Sequence, residues 1–178
     1  MLEASDGEAG YNLAIENITD LIISDIIIFN LTGTELCRQI KNNIVTSHIP
    51  IILLTAKSTL NDQIGGIETG ADAYITKPFN DRYLEVVIKN LIETRQKLFR
   101  RSSQDVYILH KEISNNSLDQ DFLETIIRYV ENNISTELTV ENLAAHLLMS
   151  PGHTWQKIKS LTSQSANEFI CTIRLKKN

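Results

Sequence analysis

Three side chains able to do chemistry stand at the ends of three short apolar segments. They are Asp25, Thr55 and Lys77, and the segments cover residues 21–25, 51–55 and 73–77. A run without polar alternation, such as Leu21-Ile22-Ile23, is typical of a parallel strand that is covered on both faces. Because ligands bind at the carboxyl ends of parallel strands, we expect the three side chains to converge on one small site.

The chemistry predicted for this site is the handling of a phosphoryl group. An aspartate carboxylate can attack a phosphoryl group as a nucleophile. A neighbouring hydroxyl and an ammonium group can hold the phosphoryl oxygens. A carboxylate beside a buried strand also needs an ion-pair partner, hydrogen bonds or access to solvent, because an isolated buried charge is costly. We therefore predict that Asp25 is a reactive group rather than the first residue of a turn.

The first hundred residues alternate between strand and helix patterns. Strands are predicted over 2–4, 21–25, 51–55 and 73–76, and helices over 7–16, 34–43, 59–69 and 81–100. Such alternation predicts an α/β fold, with helices on both faces of a parallel sheet.

The sequence changes character after Arg101. Residues 102–118 are polar and rich in breakers, which predicts a linker. Helices are then predicted over 119–132, after Thr139, over 151–161 and over 166–176, and Ser150-Pro151 is a strong helix start. The predicted organisation is a first domain over 1–101, a linker over 102–118 and an all-α domain over 119–178.

Composition predicts a soluble cytoplasmic protein. The hydrophobic content of 42%, the charged content of 22% and the net charge of −5 are ordinary for a globular chain. No apolar run approaches the ~18–20 residues of a membrane helix, and the acidic, polar N-terminus argues against a secretory signal. Cys37 and Cys171 are far apart, as expected for spare thiols in a reducing compartment. A basic C-terminal segment, with Lys157, Lys159, Arg174, Lys176 and Lys177 against Glu168 alone, suggests a polyanionic partner.

The three motifs LIISD, IPIILLTA and GADAYITKPF together resemble the receiver domain of bacterial two-component response regulators, a flavodoxin-like fold. The resemblance covers about residues 1–100. It implies that Asp25 accepts a phosphoryl group from a histidine kinase, that Thr55 is the switch hydroxyl and that Lys77 binds the phosphoryl group. It also implies a cis Lys77–Pro78 peptide bond. Tyr74 matches the aromatic residue that rotates with the switch, although it could also be a packed core residue.

The chain departs from the receiver pattern at its start. In the family, the first strand precedes a pair of acidic residues that hold Mg²⁺, whereas MLEASDG matches the second strand. Asp25 alone is a poor Mg²⁺ ligand set, so we expect weak or absent phosphorylation. The missing central strand leaves a sheet edge open. Either residues 2–4 pair with 21–25, or a homodimer fills the gap, or this half is loosely packed.

The segment LTVENLAAHLLMSPGHTWQKIKSLTSQSANEFICTIRLKK resembles the AraC-type DNA-binding domain, over about residues 119–177. The resemblance covers the first of the two helix-turn-helix units of that family. It makes 151–161 the recognition helix and implies DNA-binding roles for Gly152, His153, Gln156, Lys157, Lys159 and Arg174. Lys157 and Arg174 would contact phosphates, while Ile158 and Leu161 are predicted core residues. Because one unit makes few phosphate contacts, we expect weak, salt-sensitive DNA binding.

The predicted function is a phosphorelay response regulator that controls transcription. We expect its activity to be impaired, because both domains depart from their family patterns through truncation. Its combination of domains resembles hybrid sensor–regulators, in which a kinase precedes the receiver on the same chain. One alternative is a receiver that docks partners without being phosphorylated. Another is a phosphatase with an aspartate nucleophile, but such enzymes need a second acid two residues after the nucleophile, where this chain has Ile27. We therefore expect no enzymatic activity.

Overall fold

The computed structural model describes residues 1–17, 19–56, 69–102, 117–136 and 138–177. These residues form two compact units, Met1–Thr94 and Arg95–Asn178, which are described in turn. The helix predicted over 59–69 lies outside the described residues except for Thr69, as do residues 103–116 of the predicted linker. The predicted domain boundaries stay predictions.

The first unit is built on a parallel sheet of three described strands. The strands are β1 (Ile22–Asp25), β2 (Ile51–Thr55) and β3 (Ala73–Thr76), in the spatial order β1-β2-β3. Both pairs of strands are parallel, with Asp25 opposite Leu54 and Thr55 opposite Thr76. The predicted parallel sheet is therefore confirmed, and its carboxyl ends share one edge.

Two capped helices cover one face of this sheet. Helix α1 (Gly7–Glu16) begins after Asp6, whose carboxylate accepts a hydrogen bond from the Ala9 amide at 2.9 Å. Helix α2 (Gly33–Asn42) begins with a capping box between Thr32 and Glu35. The buried core of this layer is formed by Ala14, Leu36, Cys37, Ile40, Ile49, Ile51 and Leu53. A long helix, α3 (Asp81–Ser102), follows β3.

The strand predicted over residues 2–4 is absent. The residues before α1 form neither helix nor strand, and the Leu2 side chain is 57% exposed. The segment Leu2-Glu3-Ala4 lacks β-branched residues, and only Ser5 separates it from the Asp6 cap. It therefore has little to gain from pairing with β1, and among the described strands β1 has a neighbour on one side only.

The second unit is helical. It contains α4 (Ser117–Asn132), α5 (Val140–His146), α6 (Pro151–Thr162) and α7 (Ala166–Lys177). Thr139 and Ser150 cap α5 and α6, as predicted, by accepting hydrogen bonds from the Asn142 and His153 amides. A continuous core fills the space between the helices, and Phe122, Ile126, Leu143, Ile158, Leu161 and Phe169 are among its most buried members.

A membrane crossing has no candidate in the described part of the chain, because no helix there combines the necessary length and apolarity.

Candidate functional site

Asp25 and Lys77 form an ion pair at the carboxyl edge of the sheet. The Lys77 ammonium donates a very short hydrogen bond to Asp25 Oδ2. Asp25 Oδ1 accepts a second hydrogen bond from the Ile27 amide at 3.3 Å. Both side chains are partly exposed. The structure thus places the predicted nucleophile and the predicted cation in direct contact, at the solvent boundary that a phosphoryl donor could reach.

The surroundings of Asp25 favour its ionised form. Burial acts to raise the pKa of the carboxyl group, but the hydrogen bond from Lys77 and those from the Ile27 and Ile26 amides outweigh it. The pKa of Asp25 is consequently lowered from its ordinary value. At neutral pH the group is therefore a carboxylate, which is the form needed by a nucleophile.

Thr55 lies at the end of the middle strand, one residue beyond the Leu54 that pairs with Asp25. The Thr55 carbonyl oxygen accepts a hydrogen bond from the Lys77 amide at 2.7 Å. The Thr55 side chain is only 3% exposed, whereas Asp25 and Lys77 reach solvent. Thr55 therefore occupies the predicted edge of the sheet, with a buried hydroxyl.

Three other features lie near this edge of the sheet. A side chain at Gly33 would collide with the Asp25 carbonyl oxygen, so glycine lets the start of α2 approach the end of β1 closely. Tyr74 packs against the core beside α2, and its hydroxyl lies 3.2 Å from Thr69 Oγ1. Burial raises the pKa of Tyr74. The Lys77–Pro78 peptide bond is cis, as expected.

The described residues do not provide a divalent-metal site. Among them, no group of three or more His, Cys, Asp or Glu side chains could hold a metal ion. The two oxygens of Asp25 are already engaged, one by Lys77 and one by the Ile27 amide. Mg²⁺ generally requires several oxygen ligands in an octahedral arrangement. Asp25 and its neighbours therefore do not fit Mg²⁺ in this arrangement.

The second candidate surface lies on α6. Of its predicted DNA-binding residues, Gly152 and Lys159 are exposed and His153 and Gln156 are partly exposed. The Lys159 ammonium lies 4.6 Å from the centre of the Trp155 ring, and Trp155 is itself exposed. The exposed face of α6 therefore carries polar residues in its first two turns and a contact between Trp155 and Lys159 that extends into its last turn.

Lys157 does not belong to this surface, so its predicted phosphate contact is wrong. Its side chain is 0% exposed and its ammonium forms an ion pair of 2.7 Å with Asp119 on α4. The ammonium also lies 5.0 Å from the centre of the Phe122 ring. A buried and paired ammonium cannot reach a DNA phosphate without breaking the core.

Sequence reasoning missed this ion pair, although the sequence contains a signal for it. Lys157 follows Thr154 by three residues and precedes Ile158 and Leu161 by one and four. Together they form a single inward stripe on α6, and all four are buried. The stripe predicts an inward lysine, but nothing in the spacing identifies Asp119 as its partner.

Arg174 is also committed to the fold of its own unit. Its Nη2 atom donates a hydrogen bond of 2.5 Å to the Thr136 carbonyl oxygen. Its Nε atom is buried, with no hydrogen-bond partner among the described residues. The guanidinium group therefore links α7 to the turn after α4. A phosphate contact by Arg174, as predicted, would compete with this internal hydrogen bond.

Comparison with known proteins identifies the family to which the first half of the chain belongs. A family model described as the response regulator receiver domain matches residues 1–89. The match covers β1, β2 and β3 and includes Asp25, Thr55 and Lys77.

The two curated relatives described here are longer than the chain. Histidine kinase P4 of Formosa agariphila is 42% identical over 178 residues, which cover 99% of this chain and 13% of that protein. The uncharacterized transcriptional regulatory protein YclJ of Bacillus subtilis is 47% identical over 87 residues, or 49% of this chain and 37% of that protein. A solved signal receiver domain of a signal transduction histidine kinase from Syntrophus aciditrophicus is 36% identical, with a TM-score of 0.47, covering 50% of this chain and 67% of that one. The chain thus spans well under half the length of these two curated relatives.

Proposed function

The chain belongs to the response regulator receiver domain family, and on this premise we propose that it is a phosphorelay regulator of transcription. In this proposal Asp25 accepts a phosphoryl group and the second unit binds DNA. A relative named a transcriptional regulatory protein supports the transcriptional role. The relative named a histidine kinase, which aligns with nearly the whole chain, supports a histidine kinase as the phosphodonor.

The observation that carries the proposal is the contact between Asp25 and Lys77 at the carboxyl edge of the sheet. In the transfer, an Asp25 oxygen forms a bond to phosphorus while the bond between phosphorus and the donor histidine nitrogen breaks. That nitrogen keeps the electron pair. The Lys77 ammonium, already at the carboxylate, would follow the negative charge onto the phosphoryl oxygens.

Thr55 and Tyr74 are proposed to report the transfer to the rest of the first unit. The Thr55 hydroxyl would turn from its buried position towards the phosphoryl oxygens. Tyr74 lies opposite Leu53, two residues before Thr55 on β2, so the two side chains are diagonal neighbours on one face of the sheet. Rotation of its ring would break the contact between its hydroxyl and Thr69. In this view, the partly buried tyrosine is a switch residue as well as a packed one.

Receiver domains generally bind Mg²⁺ at the active site, but the described residues of this chain do not fit that ion. We therefore propose slow transfer to Asp25, with Lys77 as the main source of positive charge. Adding a metal chelator should then change the rate little, which intact-mass measurements with and without the chelator would test.

Incubation with acetyl phosphate, followed by intact-mass spectrometry over time, tests the proposed function. We expect slow addition of a phosphoryl mass to the unmodified chain, none to Asp25→Asn and a still slower addition to Lys77→Met. Lys89→Met removes an exposed lysine from α3 and is the matched control, which should behave as the unmodified chain. Equal labelling of Asp25→Asn would overturn the assignment of the phosphoacceptor.

A receiver that docks partners without phosphorylation is the second candidate function. It is favoured by the lack of a metal-binding cluster among the residues that the structure describes. Beryllofluoride, a mimic of the phosphoryl group, separates the two functions. If the chain is a phosphorylation switch, its affinity for a partner protein should change when beryllofluoride is added. If it only docks partners, the affinity should stay the same.

Phosphatase activity is not part of the proposal. Ile27 stands two residues after Asp25, where a phosphatase of this kind needs an acid, and its side chain points largely into solvent. No other group is proposed to donate a proton to a leaving oxygen. We expect no turnover of p-nitrophenyl phosphate, and measurable turnover that disappears in Asp25→Asn would contradict this part of the account.

The output unit is proposed to be an AraC-type helix-turn-helix that uses α6 in the major groove. The support is a capped α5, a tight turn and a capped α6 with exposed polar residues at its start. Gly152, His153, Gln156 and Lys159 remain the proposed DNA-binding residues. The burial of Lys157 and the internal hydrogen bond of Arg174 reduce the number of available phosphate contacts, which favours weak binding.

A further inference from the structure

The inward face of α6 is only partly apolar. The buried side chains of this helix are Thr154, Lys157, Ile158, Leu161 and Thr162. Only Ile158 and Leu161 among them are hydrocarbon side chains, and the buried Thr154 hydroxyl has no hydrogen-bond partner among the described residues. A helix with a continuous apolar stripe is held in one rotation about its axis by the burial of that stripe. Because α6 lacks such a stripe, apolar burial alone specifies its rotation poorly.

The largest apolar side chain of α6 lies outside this inward face. Trp155 is 37% exposed, and the centre of its ring lies 4.6 Å from Lys159 Nζ. Trp155 and Lys157 are two positions apart, or about 200° around a helix, so they lie on opposite flanks of the inward face. A rotation of α6 that carried Trp155 into the core would therefore carry Lys157 out to solvent. That exchange would bury apolar area and return a charge to water, and each of these changes is favourable by itself.

The contacts of Lys157 hold α6 in the observed rotation instead. Its side chain is 0% exposed, and its ammonium lies 2.7 Å from Asp119 Oδ1 and 5.0 Å from the centre of the Phe122 ring. Both partners belong to α4, and Asp119 lies in the first turn of that helix. A charge-assisted hydrogen bond is short and has a defined geometry, whereas the hydrophobic effect is non-directional. The ammonium can keep these contacts only while Lys157 faces α4.

We propose that the buried pair of Lys157 and Asp119 selects the rotation of α6 and thereby decides which side chains this helix presents to solvent. In the selected rotation Gly152 and Lys159 are exposed and Gln156 is partly exposed. Lys157 and Asp119 are positioning residues, because they act through the placement of α6. Apolar residues can often replace a buried ion pair without loss of stability, so the role assigned to this pair is the choice of one packing. This role does not depend on DNA binding by the second unit.

Two probes on the whole chain report the rotation from opposite flanks of α6. Trp155 is the only tryptophan in the sequence, so quenching of the tryptophan fluorescence by acrylamide measures its exposure. Brief acetylation with acetic anhydride, followed by peptide mass mapping, measures the exposure of Lys157, and the exposed Lys159 is the internal reference. In the unmodified chain we expect Lys157 to react about tenfold more slowly than Lys159, because a buried amine reacts only when the structure opens.

Asp119→Asn removes the charge of the partner and nearly keeps its shape. We expect a gain of about tenfold in the reactivity of Lys157 relative to Lys159, together with weaker quenching of Trp155 and a retained helical circular dichroism signal. The variant should be less stable than the unmodified chain, because the exchanged packing forms only when the pair is lost. Glu124→Gln removes an exposed carboxylate from the same helix and is the matched control, which should change neither probe.

A double variant and the opposite behaviour of the two probes make the test decisive. Asp119→Leu/Lys157→Met places an apolar side chain on the inward face and should restore the quenching of Trp155 to its unmodified level. Unchanged probes in Asp119→Asn, or a reactive Lys157 without protection of Trp155, would overturn the proposal. So would exposure of both residues with loss of the helical signal, because the pair would then be a stabilising contact without a second packing to exclude. Protection of Trp155 that persists in the double variant would also overturn it.

Discussion

At the scale of single residues, Asp25 links the proposed chemistry to the stability of the first unit. Its carboxyl pKa is lowered in the folded chain, despite the opposing effect of burial, by Lys77 and by backbone amides. A carboxyl group whose pKa is lowered by folding stabilises the folded state at pH values above its unfolded-state pKa. That stability is lost as pH falls from the ordinary value of 3.8 through the lowered one.

We therefore predict a specific pH dependence for Asp25→Asn. The variant should be less stable than the unmodified chain at pH 7, and the difference should shrink as the pH falls below about 4. Urea unfolding of the first unit at a series of pH values measures this. Glu85→Gln, which removes an exposed carboxylate on α3, is the control. A difference that stays constant down to pH 2 would contradict the role assigned to the ion pair.

The buried ion pair of Lys157 and Asp119 gives a second prediction at this scale. Replacing one partner leaves the other charge buried without its ion-pair partner, so Asp119→Leu should destabilise the second unit by about 3–5 kcal/mol. The double variant Asp119→Leu/Lys157→Met replaces both charges with apolar groups and should recover most of that loss. Thermal unfolding of the second unit measures both effects.

Two results would contradict this assignment of Lys157. One is a double variant Asp119→Leu/Lys157→Met that is no more stable than Asp119→Leu alone. The other is an Asp119→Leu variant as stable as Glu124→Gln, which removes only an exposed pair with Arg128 on the surface of α4 and should cost almost nothing.

At the scale of elements, the position of α2 against β1 depends on Gly33. A methyl group at this position would meet the Asp25 carbonyl oxygen and the backbone at Ile26. Gly33→Ala should therefore destabilise the first unit by about 1–3 kcal/mol and should slow phosphorylation, because the end of β1 must move. Denaturant unfolding and intact-mass kinetics measure the two effects.

Gly10→Ala on α1 is the matched control for Gly33. A methyl group there would make only ordinary contacts, with Ala4 and Leu36, and alanine favours a helix interior by roughly 0.5–1 kcal/mol. The variant should be as stable as the unmodified chain or more so. If Gly33→Ala behaved like Gly10→Ala, the proposed close approach of α2 to β1 would be wrong.

The elements also show what the sequence can predict. β-branched runs bounded by Asp25 and Thr55 predicted the strands, and Thr139 and Ser150-Pro151 predicted the helix starts, because these signals are local. The strand over 2–4 failed, because a short strand exists only through a partner that the local sequence does not specify. The phosphate contact of Lys157, which the AraC-type resemblance implied, failed for a similar reason, because its partner Asp119 lies 38 residues away in the sequence.

At the scale of the whole molecule, the proposed regulator joins a receiver to a helical unit that is proposed to bind DNA weakly. Lys159 is an exposed cation on α6, so Lys159→Ala should weaken binding uniformly across DNA sequences and should lower the salt slope by about 1. Fluorescence anisotropy titrations at several salt concentrations measure this, with Lys89→Ala on the first unit as the control. An unchanged salt slope in Lys159→Ala, or micromolar saturation at about 150 mM salt on one sequence only, would contradict the proposed weak binding.

The central claim is that the carboxylate beside Lys77 at the sheet edge carries the phosphoryl group. Borohydride reduces an aspartyl phosphate to homoserine, so reduction after exposure to acetyl phosphate, followed by peptide mass mapping, marks the acceptor residue. We expect homoserine at position 25, at low occupancy and nowhere else in the chain. Homoserine at another position would contradict it, and so would a full phosphoryl load with Asp25 left intact.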